Sequence, residues 1–361
     1  MKILMVSAPK HIAGPIPSIT DLLVSGLEDN DCSVTLLSMW GQRKPNENLV
    51  TKVYQRVLDV ISIVRQACTE KYDFIYINAS HDELLREITL LLGLRIQSAP
   101  VVALFHGSRS EKLLSRNTFF VVATEMYLHL VDGLLLLSTE EFTAFKRLWP
   151  WAPCGVVPNP VGPSPFDWRQ KIASYKEGQQ LKLAFIGRFI EQKGVLDVIE
   201  AFKQVADRVN CKLLLVGDGP LLAEMQRRIA AYGLQNRVEF TGYLDRQHIW
   251  DLYKIADILL LPTYFAEGMP TVVLEAMASG LGIVCTCIRG VADYLQEGKN
   301  ALFVPPRSPD AIVQQVMTLA TNAGKLDEMR IANQELAQRF APVVVAHKQL
   351  EVIRSLVKRI R

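Results

Sequence analysis

Two series of short apolar runs, each alternating with helical patterns, leave this chain few folds to choose from. The first series comprises Lys2–Ser7, Ser33–Ser38, Phe74–Asn78, Val101–Phe105 and Gly133–Leu137. Between these runs, Ile19–Leu27, Tyr54–Cys68 and Glu83–Leu92 carry apolar residues at helical spacing. The second series comprises Leu181–Ile186, Lys212–Val216, Val238–Thr241, Ile258–Leu261, Gly282–Cys285 and Ala301–Val304. Strands that are apolar on both faces must be covered on both faces, and helices between them do the covering. The pattern predicts two α/β domains, each a doubly wound parallel sheet. Between the two series, residues 157–168 (VPNPVGPSPFDW) hold four prolines and a glycine, which no regular element accommodates. With 361 residues, 49% of them hydrophobic, the chain can fill two cores. The expected division is an N-terminal domain over 1–160, a linker over 161–180 and a C-terminal domain over 181–342.

Charge and cysteine usage narrow the function classes. Forty basic residues against 37 acidic ones give a net charge of +3 and no strong basic field, which argues against nucleic acid as a partner. The six cysteines are scattered; the one close pair, Cys285 and Cys287, has no second pair to complete a zinc site. They read as reduced thiols of a cytoplasmic protein. The opening MKILMVSAP is too short an apolar run for a signal peptide, and no run nears the roughly 20 residues of a membrane span. A soluble cytoplasmic protein is expected, with contact at the inner face of a membrane left open.

Four stretches carry chemistry. In AEGMPTVVLEAMASG (266–280), Pro270 suits a helix start, Val272, Val273, Ala276 and Met277 form a buried stripe, and Gly280 suits the stop. Glu267 then precedes the helix mouth and Glu275 lies one turn inside it on the face of Thr271. The backbone N–H groups between the two acids are placed for an anion, which suggests a phosphate with a sugar on each side. In GRFIEQKG (187–194), Gly187 frees the backbone after a strand, and Arg188 and Lys193 place two cations beside one anion. PKHIAGPIPS (9–18) contains Gly14, where backbone can approach a ligand, and His11. FHGS (105–108) places His106 at a strand end, where ligands of such sheets bind. Each of these, taken alone, also has an ordinary structural explanation.

Taken together, EGMPTVVLEAMASG and GRFIEQKG resemble the signatures of the GT-B glycosyltransferases of family 4. The resemblance spans nearly the whole chain and is strongest over 181–306. It implies a GT-B architecture, two Rossmann-like domains facing a cleft, with a C-terminal helix over 343–361 packing back on the first domain. It implies a retaining, metal-independent transfer of sugar from a nucleotide-diphosphate sugar to an acceptor hydroxyl, in polysaccharide, lipid-glycan or other glycoconjugate biosynthesis. His106, Arg188, Lys193 and Glu267 would be the catalytic group. Gly14, Gly187, Arg188, Lys193, Tyr243, Leu244, Glu267, Gly268, Met269, Pro270, Thr271 and Glu275 would hold the donor, with Tyr243 and Leu244 in a turn that reads the nucleobase through its backbone. No cofactor or metal is expected; the only D-x-D, Asp29-Asn30-Asp31, reads as a surface turn. A UDP sugar is favoured over a GDP sugar, and the acceptor is an unidentified glycan, lipid-linked or small molecule.

The sequence departs from the family pattern at several places. Gly14 is followed by Pro15 where paired glycines are usual, Pro160 and Arg289 each replace a glycine, Asp293 replaces Glu, and Gly282 stands for Pro. Arg109, Lys112 and Arg116 with Leu113, Leu114, Phe119 and Phe120 fit either a peripheral membrane contact or a solvated helix. Two other functions remain open at this point: a GT-B sugar-nucleotide epimerase, and an inactive relative serving as a binding subunit.

Overall fold

The computed structural model describes residues 1–9, 14–39, 49–80, 84–106, 118–165, 167, 169, 179–265 and 267–357. The chain divides into two compact units. One contains Met1–Pro160, Ala266–Met269 and Phe340–Arg361, and the other Val161–Phe265 and Pro270–Arg339. The short passage Ala266–Met269 belongs with the first unit, a detail that no local pattern announces.

Among the described residues, the first unit is built on six parallel strands: β1 (Lys2–Ser7), β2 (Ser33–Ser38), β3 (Phe74–Ser80), β4 (Val101–His106), β5 (Gly133–Leu136) and β6 (Cys154–Val156). Their order is β2-β1-β3-β4-β5-β6. The central strands are buried along nearly their whole length, whereas β2 at the edge is only half-buried, which is the expected gradient for a sheet covered by helices on both faces. Helix Pro15–Glu28 begins before the apolar pattern does, because Pro15 and Pro17 fall in the first turn, where a missing N–H costs nothing. Alternation along β4 sends Phe105 to one face, where it meets the rings of Tyr127 at 5.1 Å and Phe145 at 6.1 Å, and His106 to the other. The C-terminal helix Pro342–Leu356 completes this unit. Tyr76 donates to Gln349 Oε1 at 2.9 Å, Asn30 Nδ2 donates to the Val343 carbonyl at 2.9 Å, and a Cβ on Gly26 would lie 2.2 Å from the Pro342 carbonyl oxygen.

The second unit repeats the plan with β7 (Leu181–Ile186), β8 (Cys211–Val216), β9 (Val238–Gly242), β10 (Ile258–Leu261), β11 (Gly282–Cys285) and β12 (Leu302–Phe303). All pairings are parallel, in the order β12-β11-β10-β7-β8-β9. Counted within the unit this is strand order 3-2-1-4-5-6, the dinucleotide-binding arrangement. Arg330, fully buried on helix Ala323–Ala337, bonds Asp257 Oδ1 at 2.7 Å and Asp327 at 3.1 Å, pinning that helix to the start of β10. Among the described residues, no helix is long and apolar enough to cross a membrane.

Candidate functional site

In a doubly wound sheet the ligand crevice opens at the carboxyl ends of the strands, where the strand order reverses. In the second unit that point lies between β7 and β10. The loop after β7 carries Gly187, Arg188 and Lys193; the loop after β10 leads through Thr263, Tyr264 and Phe265 to Glu267. Hydrogen bonds tie the two loops together. The Gln192 carbonyl accepts the Tyr264 N–H at 2.8 Å, the Phe265 N–H at 2.9 Å and the Thr263 hydroxyl at 3.1 Å. The Thr286 hydroxyl in turn donates to the Thr263 carbonyl.

This bracing brings two cations onto one ring. The Arg188 guanidinium carbon lies 4.9 Å from the Phe265 centroid and the Lys193 ammonium 5.5 Å from it. Lys193 is buried in the short turn Glu191–Lys193, while Arg188 is exposed. The ring's negative face attracts both groups and offsets part of their mutual repulsion. The loop itself is propped from behind: a Cβ at Gly217 would fall 2.0 Å from the Gly187 carbonyl oxygen, and one at Gly194 2.5 Å from the Pro262 carbonyl oxygen. Only glycines permit these approaches.

Helix Thr271–Ala278 starts with Pro270 as its N-cap, so Pro270 stands just outside the first helical position rather than in it. Pro270 has no side-chain acceptor to cap the first-turn N–H groups, which leaves the positive end of the helix without that neutralisation. Val273, Leu274, Ala276 and Met277 are buried, and Gly280 and Leu281 close the helix by donating to the Met277 and Ala276 carbonyls, both at 3.0 Å. Thr271 and Glu275 share the half-buried face, and Glu275 Oε2 accepts the Tyr253 hydroxyl at 2.8 Å. Tyr243 and Leu244 follow β9, the strand at one edge of the sheet, with Tyr243 exposed. Arg289 has a positive φ of 46°, a backbone state that glycine adopts more readily, and it is buried.

In the first unit His106 ends β4, and its surroundings fix its chemistry. Thr20 donates its hydroxyl proton to the Ile16 carbonyl at 2.8 Å, so its oxygen can only accept from other groups. Ser7 therefore donates to Thr20 at 2.6 Å, and the atom of Asn78 lying 2.6 Å from Thr20 must be its amide nitrogen. Asn78 Oδ1 then faces His106 and accepts from Nε2–H. A neutral imidazole with its proton on Nε2 keeps a lone pair on Nδ1. Although the residue retains some exposed surface, its ring is enclosed, and that burial lowers its pKa from 6.5 to about 4. His106 is thus neutral at pH 7. Ser7, Thr20 and Asn78 were not among the residues singled out from sequence, although Ser7 and Asn78 are polar interruptions in apolar strands.

Gly14 caps helix Pro15–Glu28 at the end of the first strand-end loop. Also in this unit, Glu267 is half-buried, Gly268 and Met269 are buried, the Met269 carbonyl accepts from Asn159 Nδ2 at 3.4 Å, and a Cβ on Gly268 would lie 2.5 Å from Leu137 Cβ. His11 and the stretch Arg109, Lys112, Leu113, Leu114 and Arg116 lie outside the described residues; Phe119 is exposed.

Comparison with known proteins bears on these loops. Residues 166–336 match the family model described as glycosyl transferases group 1. An uncharacterized glycosyltransferase of Methanocaldococcus jannaschii is 28% identical over 177 residues, covering 47% of this chain and 45% of that protein. A Bacillus subtilis glycosyltransferase named for teichuronic acid biosynthesis, TuaC, is 30% identical over 132 residues, covering 37% and 31%. The alignments thus span less than half the length of these curated relatives. Solved structures match over almost the full length. A sucrose-phosphate synthase of Thermosynechococcus elongatus superposes with a TM-score of 0.77 at 18% identity, covering 98% of each chain. Anabaena HepE in complex with UDP and glucose gives 0.75 at 20% identity, covering 98% of this chain and 100% of that one. The fold is GT-B, and the stretch 166–336 is related to group 1 glycosyl transferases.

Proposed function

We propose that this chain is a retaining glycosyltransferase that moves a sugar from a nucleotide-diphosphate sugar, a UDP sugar in preference to a GDP sugar, to an acceptor hydroxyl. The observation that carries the reading is the pair Arg188 and Lys193 on the Phe265 ring, at the strand-order reversal of the unit related to group 1 glycosyl transferases. The UDP bound by HepE supports a nucleotide donor, and the naming of TuaC supports a place in polysaccharide or other glycoconjugate biosynthesis.

The chemistry follows from where charge develops. Breaking the bond between the anomeric carbon and the diphosphate oxygen leaves negative charge on the diphosphate. Two preorganised cations and the N-terminus of helix Thr271–Ala278 oppose that charge at the moment it appears. These groups fill the role a divalent cation would otherwise fill, so the transfer is metal-independent. Glu275 accepts from the ribose hydroxyls. In the other unit, His106 offers Nδ1 as an acceptor for a hydroxyl, because its Nε2 proton is committed to Asn78. The acceptor oxygen bonds the anomeric carbon on the face the diphosphate leaves, and its proton passes to the departing phosphate oxygen, which retains configuration.

The test is release of nucleoside diphosphate from a panel of nucleotide sugars, with the product's anomeric proton coupling read by NMR. Release with the donor's anomeric configuration preserved is the expected result. Product of the opposite configuration overturns retention, and absence of release across UDP, GDP and ADP sugars with glycan, lipid-linked and small-molecule acceptors overturns the proposal.

A further inference from the structure

We infer that Tyr253 is a positioning residue that holds Glu275 as a fixed acceptor and thereby makes the site select ribose over deoxyribose in its nucleotide ligand. The inference rests on the nucleotide-sugar reading of the second unit and adds a residue and a specificity to it.

Tyr253 lies on helix Arg246–Ile255 and is fully buried, its ring tilted at 57° against Trp250 with centroids 5.7 Å apart. A buried phenol needs a partner for its single proton. Among the described residues, Glu275 Oε2 lies 2.8 Å and the Val272 carbonyl 3.5 Å from its hydroxyl. The carboxylate is closer and charged, so it takes the proton, and bonds of this kind are about twice as strong as neutral ones. Burial, reinforced by the Glu275 charge, pushes the phenol's pKa well above 10, so Tyr253 remains a donor at any working pH. Because the hydroxyl projects from a packed ring, it fixes where one carboxylate oxygen sits.

The consequence lies in what Glu275 can then do. A Glu side chain left to itself samples several rotamers, and ordering it on ligand binding costs free energy. An ionised carboxylate accepts at about four lone-pair positions. With one occupied by Tyr253 and the side chain fixed on the half-buried face it shares with Thr271, the carboxylate presents a preorganised acceptor to neighbouring hydroxyls. A vicinal diol such as that of ribose matches such an acceptor. A 2′-deoxyribose leaves it one partner short, and a site built to bond a hydroxyl discriminates strongly against the analogue lacking it. A purely structural tyrosine would support the fold without distinguishing the two sugars.

The experiment is isothermal titration of the full chain with UDP and 2′-deoxy-UDP, with the corresponding guanosine and adenosine pairs in parallel, on wild type, Tyr253→Phe and Glu275→Gln. Glu275 keeps part of its surface, so water can replace the lost hydroxyl and the Phe variant is expected to fold. Wild type should prefer the ribonucleotide by about tenfold or more. In both variants the preference should fall below about threefold, while Tyr253→Phe binds the deoxynucleotide nearly as wild type does. A ribose preference unchanged in Tyr253→Phe overturns the positioning role and leaves the nucleotide-sugar reading standing. Equal wild-type affinity for both sugars overturns the proposed selectivity in the same way. Wild type that binds none of the three ribonucleoside diphosphates overturns the nucleotide-sugar reading itself, and this inference with it.

Discussion

Replacing Gly217 by alanine tests whether the loop that carries Arg188 is held by close backbone packing. The new Cβ would lie 2.0 Å from the Gly187 carbonyl oxygen and 3.0 Å from its carbon, where side-chain carbons essentially never come within 3.0 Å of such atoms, so the gap must open by 1.0 Å. Neither side yields easily. Gly217 donates to the Gly242 carbonyl at 2.9 Å, and Gly187 donates to the Val216 carbonyl at 3.0 Å. A φ of 130° is also a backbone state that side chains resist, costing about 1–3 kcal/mol. Relief of the collision adds about 1–3 kcal/mol, as overpacking does in other cores. The second unit should therefore lose about 2–6 kcal/mol, measured by urea denaturation, and nucleoside diphosphate should bind at least about tenfold more weakly as Arg188 shifts. Gly233→Ala is the control: its φ of 68° carries the handedness cost, about 1–2 kcal/mol, with no atom within 4 Å to strike. Stability within about 0.5 kcal/mol of wild type and unchanged ligand affinity in Gly217→Ala would mean that the Arg188 loop is not held by this backbone contact.

Other perturbations give further tests. Arg188→Ala and Lys193→Ala should each lower turnover by about 3 kcal/mol of transition-state stabilisation, roughly a hundredfold; wild-type turnover in either variant would remove that residue from the leaving-group site. Nucleotide binding and transfer should persist in excess EDTA, and activity abolished by EDTA and restored by magnesium or manganese would contradict the assigned role of the two cations. The folded pKa of His106, about 4, lies below the ordinary 6.5, so between those values the unfolded chain takes up a proton that the folded chain does not. The neutral ring's contribution is complete above pH 6.5 and is lost as pH falls towards 4. By pH 5 wild type should lose up to about 2 kcal/mol more stability than His106→Gln does, and equal losses would place the ring in water.

The fold was largely legible because β-strands buried on both faces have a plain signature. Lys2–Ser7, Ser33–Ser38, Leu181–Ile186, Ile258–Leu261 and Gly282–Cys285 appear with the bounds the apolar runs give. Edges were less legible: β6 is three residues long and half-buried, so burial imposes little pattern on it. Among candidate residues, Arg188, Lys193 and Glu275 were legible as candidates because charge after a strand or at a helix mouth shows in a linear sequence. Their supports were not. Tyr253 precedes Glu275 by 22 residues and reads as an ordinary core aromatic, while Phe265 is one apolar residue in a loop, and both act through contacts formed only on folding. The Ser7–Thr20–Asn78–His106 network joins three neighbouring strands and a helix, a juxtaposition set by strand order that no local motif encodes.

Whether Arg188 and Lys193 hold a nucleotide's diphosphate can be read from a thermal melt. UDP, GDP and ADP are compared with UMP, GMP and AMP on wild type and on the Arg188→Ala/Lys193→Ala double variant, since a ligand that binds only the folded state raises its melting temperature. At least one diphosphate should raise the wild-type melting temperature more than its monophosphate does, and the difference should vanish in the double variant. A diphosphate shift that survives loss of both cations, or no diphosphate shift at all, would mean that Arg188 and Lys193 do not hold the diphosphate.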